Sequence, residues 1–223
     1  MPEVHRAGDR FLTRGDGVST RHSFSYGDHY DPANVGFGPL IALNTETVDA
    51  GAGYDVHRHA DVEIVTWVLR GSLLHEDSTG RHGIIEPGTA QRLSAGTGVE
   101  HSERNASTDE PLVFVQMMLA SNHNTAPEYA QADVTRGPGL TETIDVHAPA
   151  TLLVVHLEAG AFVTIPDASR SLVHVTAGTV SLKVGEPQDT DLHEGDEARL
   201  TAAGEYAQSA SAPADALIWQ LER

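Results

Sequence analysis

The sequence predicts an all-β fold built as two tandem β-sandwich or jelly-roll barrels. Three observations carry this expectation: short β-type runs recur along the chain, Gly-containing turns separate them, and the two halves look alike. No long stretch has a helical period.

The runs lie at 40–43, 62–69, 112–119, 152–157, 172–175, 180–184 and 216–220. Ser78-Thr79-Gly80, Glu86-Pro87-Gly88, Ala95-Gly96-Thr97-Gly98, Ala177-Gly178-Thr179 and Glu194-Gly195-Asp196 supply turn chemistry between them. The run at 112–119, interrupted by Gln116, is too short to span a bilayer and reads as a buried strand. A short helical turn is expected at 127–132.

A boundary is expected in the polar segment 127–149, which contains Arg136-Gly137-Pro138-Gly139. It would separate an N-terminal metal-binding domain, 1–132, from a C-terminal domain, 133–223, without a metal motif. Val68-Leu69-Arg70-Gly71-Ser72-Leu73 resembles Val175-Thr176-Ala177-Gly178-Thr179-Val180. Ile85-Glu86-Pro87-Gly88-Thr89-Ala90 likewise resembles Leu192-His193-Glu194-Gly195-Asp196-Glu197. One barrel unit used twice explains both pairs.

The 223 residues suffice for one large or two small domains, and 39% hydrophobic with 21% charged residues fits a globular chain. A net charge of -18 argues against binding nucleic acid or an anionic membrane surface. Without cysteine there is no disulfide framework and no thiolate metal site. Residues 1–17 lack the apolar core of a signal peptide, so a cytoplasmic location is expected. A monomer is expected, with room for a protein partner.

The first half alone carries His57-Arg58-His59 and His101-Ser102-Glu103. On a strand, His57 and His59 point to one face, and so do His101 and Glu103. Two such strands can aim three imidazoles and one carboxylate at a single point, a ligand set suited to a first-row transition metal. Glu63 has the same parity as His57 and His59, so parity does not choose between Glu63 and Glu103. His75 and His82, flanking the Ser-Thr-Gly turn, are expected to be exposed. Asp61 and Glu63 read equally well as acceptors for imidazole N–H groups or as partners of Arg92 or Arg104. Trp67 and Phe114 are expected to fill the barrel.

Gly51, Gly53, His57, His59 and Glu63, then Gly96, Gly98, His101 and Asn105, resemble the two motifs of the cupin superfamily. Within it the chain is similar to the pirin family. The similarity rests on His22-Ser23-Phe24-Ser25-Tyr26, Tyr30-Asp31-Pro32, Gly36-Phe37-Gly38 and Leu40. It rests also on Asp61-Val62-Glu63-Ile64-Val65-Thr66-Trp67-Val68-Leu69-Arg70-Gly71 and on His75-Glu76-Asp77-Ser78-Thr79-Gly80. The block Ser94-Ala95-Gly96-Thr97-Gly98-Val99-Glu100-His101-Ser102-Glu103-Arg104-Asn105 is the most specific part. The match covers about residues 5–130, and the chain looks closest to the short bacterial members similar to quercetin dioxygenase.

The resemblance implies a bicupin in which His57, His59, His101 and Glu103 hold one divalent metal. Fe(II) is the first expectation, with Mn, Ni, Co or Zn as other occupants. It implies a quercetinase-type dioxygenase that opens the central ring of a flavonol with O2 and releases carbon monoxide. Glu103 would be the base that takes the flavonol proton. Such a flat aromatic substrate calls for an apolar slot. The alternatives are a regulatory protein that binds a partner through a metal-dependent surface, and a cupin metalloenzyme acting on a non-flavonoid. Arg58 stands where pirins usually carry proline; it is expected to point outward and to alter the pocket rim.

Overall fold

The computed structural model of the chain describes residues 2–122, 124–134, 137–185, 189–202 and 204–222. Arg136 of the expected boundary segment lies outside them. The chain resolves into two compact units, one of residues 11–133 and 146–148, the other of residues 1–10, 134–145 and 149–223. No helix among the described residues is long and apolar enough to cross a membrane.

Strand β1 (Glu3–His5) opens the chain and a 3-10 turn follows at Ala7–Asp9. The first unit then runs β2 (Phe11–Gly15), β3 (Val18–His22), β4 (Leu40–Val48), β5 (Gly53–His59) and β6 (Val62–Arg70). It continues with β7 (Leu73–Asp77), β8 (His82–Ile85), β9 (Thr89–Ser94), β10 (Val99–Asn105), β11 (Leu112–Ala120) and β12 (Glu128–Asp133). A seven-stranded sheet has the order β12-β9-β6-β11-β4-β3-β2, and a four-stranded sheet the order β5-β10-β7-β8. All pairings are antiparallel. The segment expected to form a helical turn is instead β12, paired with β9 from Glu128↔Ser94 to Asp133↔Thr89. An open sheet edge offers six residues of backbone pairing, which outweighs a weak local preference.

The second unit contains β13 (Gly139–Glu142), β14 (Ala150–Leu157), β15 (Phe162–Ile165), β16 (Arg170–Ala177) and β17 (Thr179–Lys183). After these come β18 (Thr190–His193), β19 (Glu197–Thr201), β20 (Tyr206–Ser209) and β21 (Ala214–Leu221). Its sheets have the orders β1-β19-β16-β21-β14-β13 and β15-β20-β17-β18. The N-terminal strand thus adds to β19 of this unit, although it precedes the other in sequence.

The internal repeat has a structural counterpart. The order β9-β6-β11-β4 in one unit matches β19-β16-β21-β14 in the other, and β5-β10-β7-β8 matches β15-β20-β17-β18. Gly71 and Gly178 occupy equivalent turns, at φ of 83° and 73°. A Cβ at either would also press on the start of the next long strand, at Leu112 and Ala214. Only glycine meets both demands without strain.

The interiors differ. The second unit contains an apolar cluster that includes Val155, Leu157, Val173, Val180, Leu192 and Ile218. In the first unit, buried apolar side chains lie on either side of a polar row. Ala42, Ile64, Leu93 and Met118 lie on one side, and Val48, Val68, Phe114 and Leu112 on the other. Between them runs this buried row, His22, Asn44, Gln116, Thr66 and Gln91, each directly opposite the next across the seven-stranded sheet. Unbonded polar groups in such a position would cost about 1–3 kcal/mol each. Gln116 and Gln91 find partners on the four-stranded sheet, Glu103 and His75, and those partners belong to the site. Phe114 fills the interior as expected; Trp67 is buried too, but strand alternation puts it on the other face of the seven-stranded sheet, opposite Val115.

Candidate metal centre

His57 and His59 lie on β5, and His101 and Glu103 on β10. The two strands pair antiparallel with His101 opposite His57. A register shift between His101 and Glu103 sets Glu103 against Tyr54. Such a bulge re-aims a side chain locally. Gly53 makes the pairing possible: a Cβ there would stand 2.3 Å from the Glu103 carbonyl oxygen and 2.6 Å from Arg104 Cα.

The imidazoles converge. Ring centroids are 4.9 Å apart for His57 and His59, 4.4 Å for His57 and His101, and 5.1 Å for His59 and His101. One ring nitrogen from each lies within 4.8 Å of the others. His57 Nδ1 bonds to the Asp55 carbonyl at 2.8 Å, which leaves Nε2 as its lone-pair donor. His101 is 1% exposed, yet neither of its ring nitrogens has a hydrogen-bond partner. Its lone pair is therefore available to a cation. Burial, with His57 close by, lowers His59 to a pKa of about 4 and His101 to about 3. Both are therefore neutral and able to donate a lone pair at neutral pH.

Glu103 is 1% exposed, and Gln116 Nε2 donates to its two oxygens at 3.0 and 2.8 Å. Burial pushes its pKa up to about 7; the Gln116 bond opposes the rise and the Glu46 charge adds to it. Glu63, the other carboxylate left open by strand parity, faces elsewhere. It is buried and accepts from Ser94 Oγ at 2.5 Å. Asp61 is exposed, in a turn at φ 57°. Arg92 bonds His147 and Glu128, and Arg104 bonds Asp55.

His75 corrects the sequence reading. It is 0% exposed rather than on the surface. It sits on β7 directly opposite Glu103, and its ring centroid is 5.3 Å from that of His101. Gln91 Nε2 donates to its Nδ1 at 3.2 Å, so its Nε2 donates to Asp77 Oδ2 at 3.3 Å. His75, His101 and Glu103 form a second group with ligand atoms close enough to share an ion. Sequence reasoning missed His75 because a turn signal beside it suggested solvent. The odd numbering it shares with the inward-facing Leu73 was the available clue. His82, across the hairpin, is exposed as expected.

A cavity of about 320 Å³ opens against His57, His59 and Glu103. Its wall combines apolar surface with polar groups. The polar row of the sheet contributes His22, Asn44 and Gln116, while Tyr26, Tyr54 and Met118 add less polar surface. Around the loop after β3, His22 stacks on Tyr26 at 5.1 Å and Phe11 on His29 at 4.9 Å. Arg58 is exposed, and its guanidinium bonds the Thr97 carbonyl at 2.8 Å, closing over the Gly96-Thr97-Gly98 turn. Asn105 is structural: its amide donates to the carbonyls of Val48, Asp49 and Glu110, tying the end of β10 to β4.

The arrangement is able to bind a divalent metal beside a cavity with a buried carboxylate in reach. Comparison with known proteins agrees with it. The family model described as Pirin matches residues 5–119. A Mycobacterium tuberculosis protein named for an inferred quercetin 2,3-dioxygenase activity is 39% identical over 98% of this chain and 94% of its own length. A quercetin 2,3-dioxygenase of Escherichia coli is 35% identical over 65% of this chain and 64% of that protein. Among solved structures, the bacterial pirin YhhW from Escherichia coli in complex with nickel(II) gives a TM-score of 0.91 at 26% identity. That match covers 100% of this chain and 99% of the other. The chain belongs to the pirin family.

Proposed function

We propose that the protein is a metal-dependent dioxygenase of quercetinase type, with His57, His59, His101 and Glu103 as metal ligands. The observation that carries this reading is the convergence of the His57, His59 and His101 imidazoles, with His101 also grouped with His75 and the buried Glu103, beside a cavity that His57, His59 and Glu103 line. Three nitrogen donors and a carboxylate suit Fe(II), Mn, Ni, Co or Zn, and Fe(II) is the choice best matched to oxygen chemistry. The nickel(II) complex of the related bacterial pirin supports the capacity for a divalent ion, and the names of the curated relatives support the reaction class.

When bound, the metal supplies a Lewis acid with open positions for a chelating substrate and O2. The chain's own part is orientation and proton handling. Gln116 fixes the Glu103 carboxylate through both oxygens. Held there, Glu103 would take the proton of a flavonol 3-hydroxyl. His57 is locked by the Asp55 carbonyl, and burial keeps His59 and His101 unprotonated.

The test is metal analysis of protein reconstituted with Fe(II), together with O2 uptake on quercetin. One metal per chain, O2 consumed in proportion to quercetin, and release of carbon monoxide are expected. One metal per chain with no uptake would sink the flavonol assignment and favour a different substrate or a partner-binding role.

A further inference from the structure

The cavity has a second carboxyl group that the metal-centred chemistry does not use. Glu46 is 2% exposed and lines the cavity from β4. Thr20 Oγ1 and Tyr54 hydroxyl both donate to its Oε2, the latter at 2.8 Å. Thr20 is its direct cross-strand neighbour. Tyr54 comes from the opposite sheet, with its ring centroid 6.1 Å from that of His57 and its hydroxyl on Glu46. Tyr54 therefore spans from the imidazoles to this carboxylate. Beside Glu46, Asn44 Oδ1 bonds His22 Nδ1 at 3.0 Å and His22 Nε2 bonds Thr13 Oγ1 at 2.9 Å. These groups also face the cavity.

The charge pattern narrows what fits. Among the described residues lining the cavity there is no lysine or arginine, while Glu46, Glu103 and Asp28 are all acidic. Away from the metal ligands, a carboxylate or phosphate on the ligand would meet acidic side chains and no lysine or arginine. A ligand with hydroxyl groups would find an acceptor already oriented by two donors. A buried acceptor shaped for a hydroxyl also discriminates strongly against an analogue that lacks one.

We propose that Glu46 is a specificity-determining residue. It accepts a hydroxyl from the part of the ligand that lies beyond Tyr54, so the cavity selects an uncharged aromatic carrying hydroxyl groups away from its metal-chelating edge. Tyr54 and Thr20 are positioning residues that hold the carboxylate in place. This rests on the dioxygenase reading for the placement of the chelating edge at the histidines. The experiment therefore reads binding, separately from turnover.

Protein loaded with Zn(II), which is redox-inert, is titrated with quercetin and with 3-hydroxyflavone. Both share the metal-chelating edge, and only quercetin carries the further hydroxyls. Wild type is expected to bind quercetin at least tenfold more tightly. Glu46→Gln should keep its zinc, weaken quercetin about tenfold and change 3-hydroxyflavone less than twofold, the scale of one charge-assisted hydrogen bond. Tyr54→Phe should weaken quercetin about threefold, and it decides the matter if Glu46→Gln does not fold. Equal affinities in wild type, binding of neither compound, or equal weakening of both by the variants would overturn the assignment. Selective binding without turnover by the iron-loaded protein would overturn the dioxygenase reading and leave the role of Glu46 standing.

Discussion

At the scale of single residues, the site depends on which carboxylate faces the imidazoles. Glu103 is held by Gln116 at the cavity wall, whereas Glu63 is engaged by Ser94. Glu103→Gln is therefore expected to retain part of the metal and to lose oxygenase turnover at least a hundredfold, the scale typical of a removed acid–base group. Glu63→Gln should alter turnover by less than about tenfold, because it acts through packing. The reverse ranking in O2-uptake assays would move the catalytic carboxylate to Glu63. His59→Ala and His101→Ala should each lose most bound metal while keeping the wild-type circular dichroism spectrum. Full occupancy in both, by metal analysis, would refute the ligand assignment. The histidines were legible because strand parity alone puts His57, His59, His101 and Glu103 on shared faces. The choice between Glu63 and Glu103 was not, since it depends on the bulge after His101 and on which sheet faces which. His75 was hidden for a similar reason: its partners Gln91 and Asp77 become neighbours only after both sheets form.

At the scale of elements, β5 and β10 carry the metal candidates, and at Gly53 their approach leaves no room for a Cβ. Any side chain there meets backbone atoms of Glu103 and Arg104. Backbone cannot rotate away, so Gly53→Ala must push the strands apart beside the bulge. Overpacking of this kind costs about 1–3 kcal/mol, and it also displaces the Glu103 carboxylate. Lower thermal stability and weaker metal binding are expected together. Gly15→Ala on β2 is the control, since nothing lies within 4 Å of a Cβ there. If both variants melt like wild type and bind metal normally, β5 and β10 do not pack as described. The long central strands could be read from the sequence, because β-type runs and Gly turns mark β4, β6, β11, β14, β16, β17 and β21. The strand β12 could not: residues 128–133 gain their conformation from the free edge of β9, and nothing in the local sequence announces that edge.

At the scale of the whole molecule, one topology appears twice with different interiors. The second unit contains an apolar cluster. The first interrupts its apolar filling with the row His22, Asn44, Gln116, Thr66 and Gln91 and gathers its histidines on the facing sheet. Polar groups and unbonded imidazole nitrogens in that interior weaken the apo state, so metal binding should stabilise the folded chain measurably. An ion that binds only the native state at about one hundred times its Kd contributes about 2.7 kcal/mol. For a unit of this size that corresponds to a rise in Tm on the order of 10 °C. A net charge of -18 complicates the reading, because acidic surfaces collect divalent ions weakly and without geometry. His101→Ala separates the two effects: it leaves the surface charge intact and removes the imidazole shared by both candidate ligand groups. Calorimetry with Ni(II) added to metal-free protein should therefore show the full rise for wild type and less than about 2 °C for His101→Ala, well below the wild-type scale. Equal rises in both would place the stabilising ion on the acidic surface and away from the histidines.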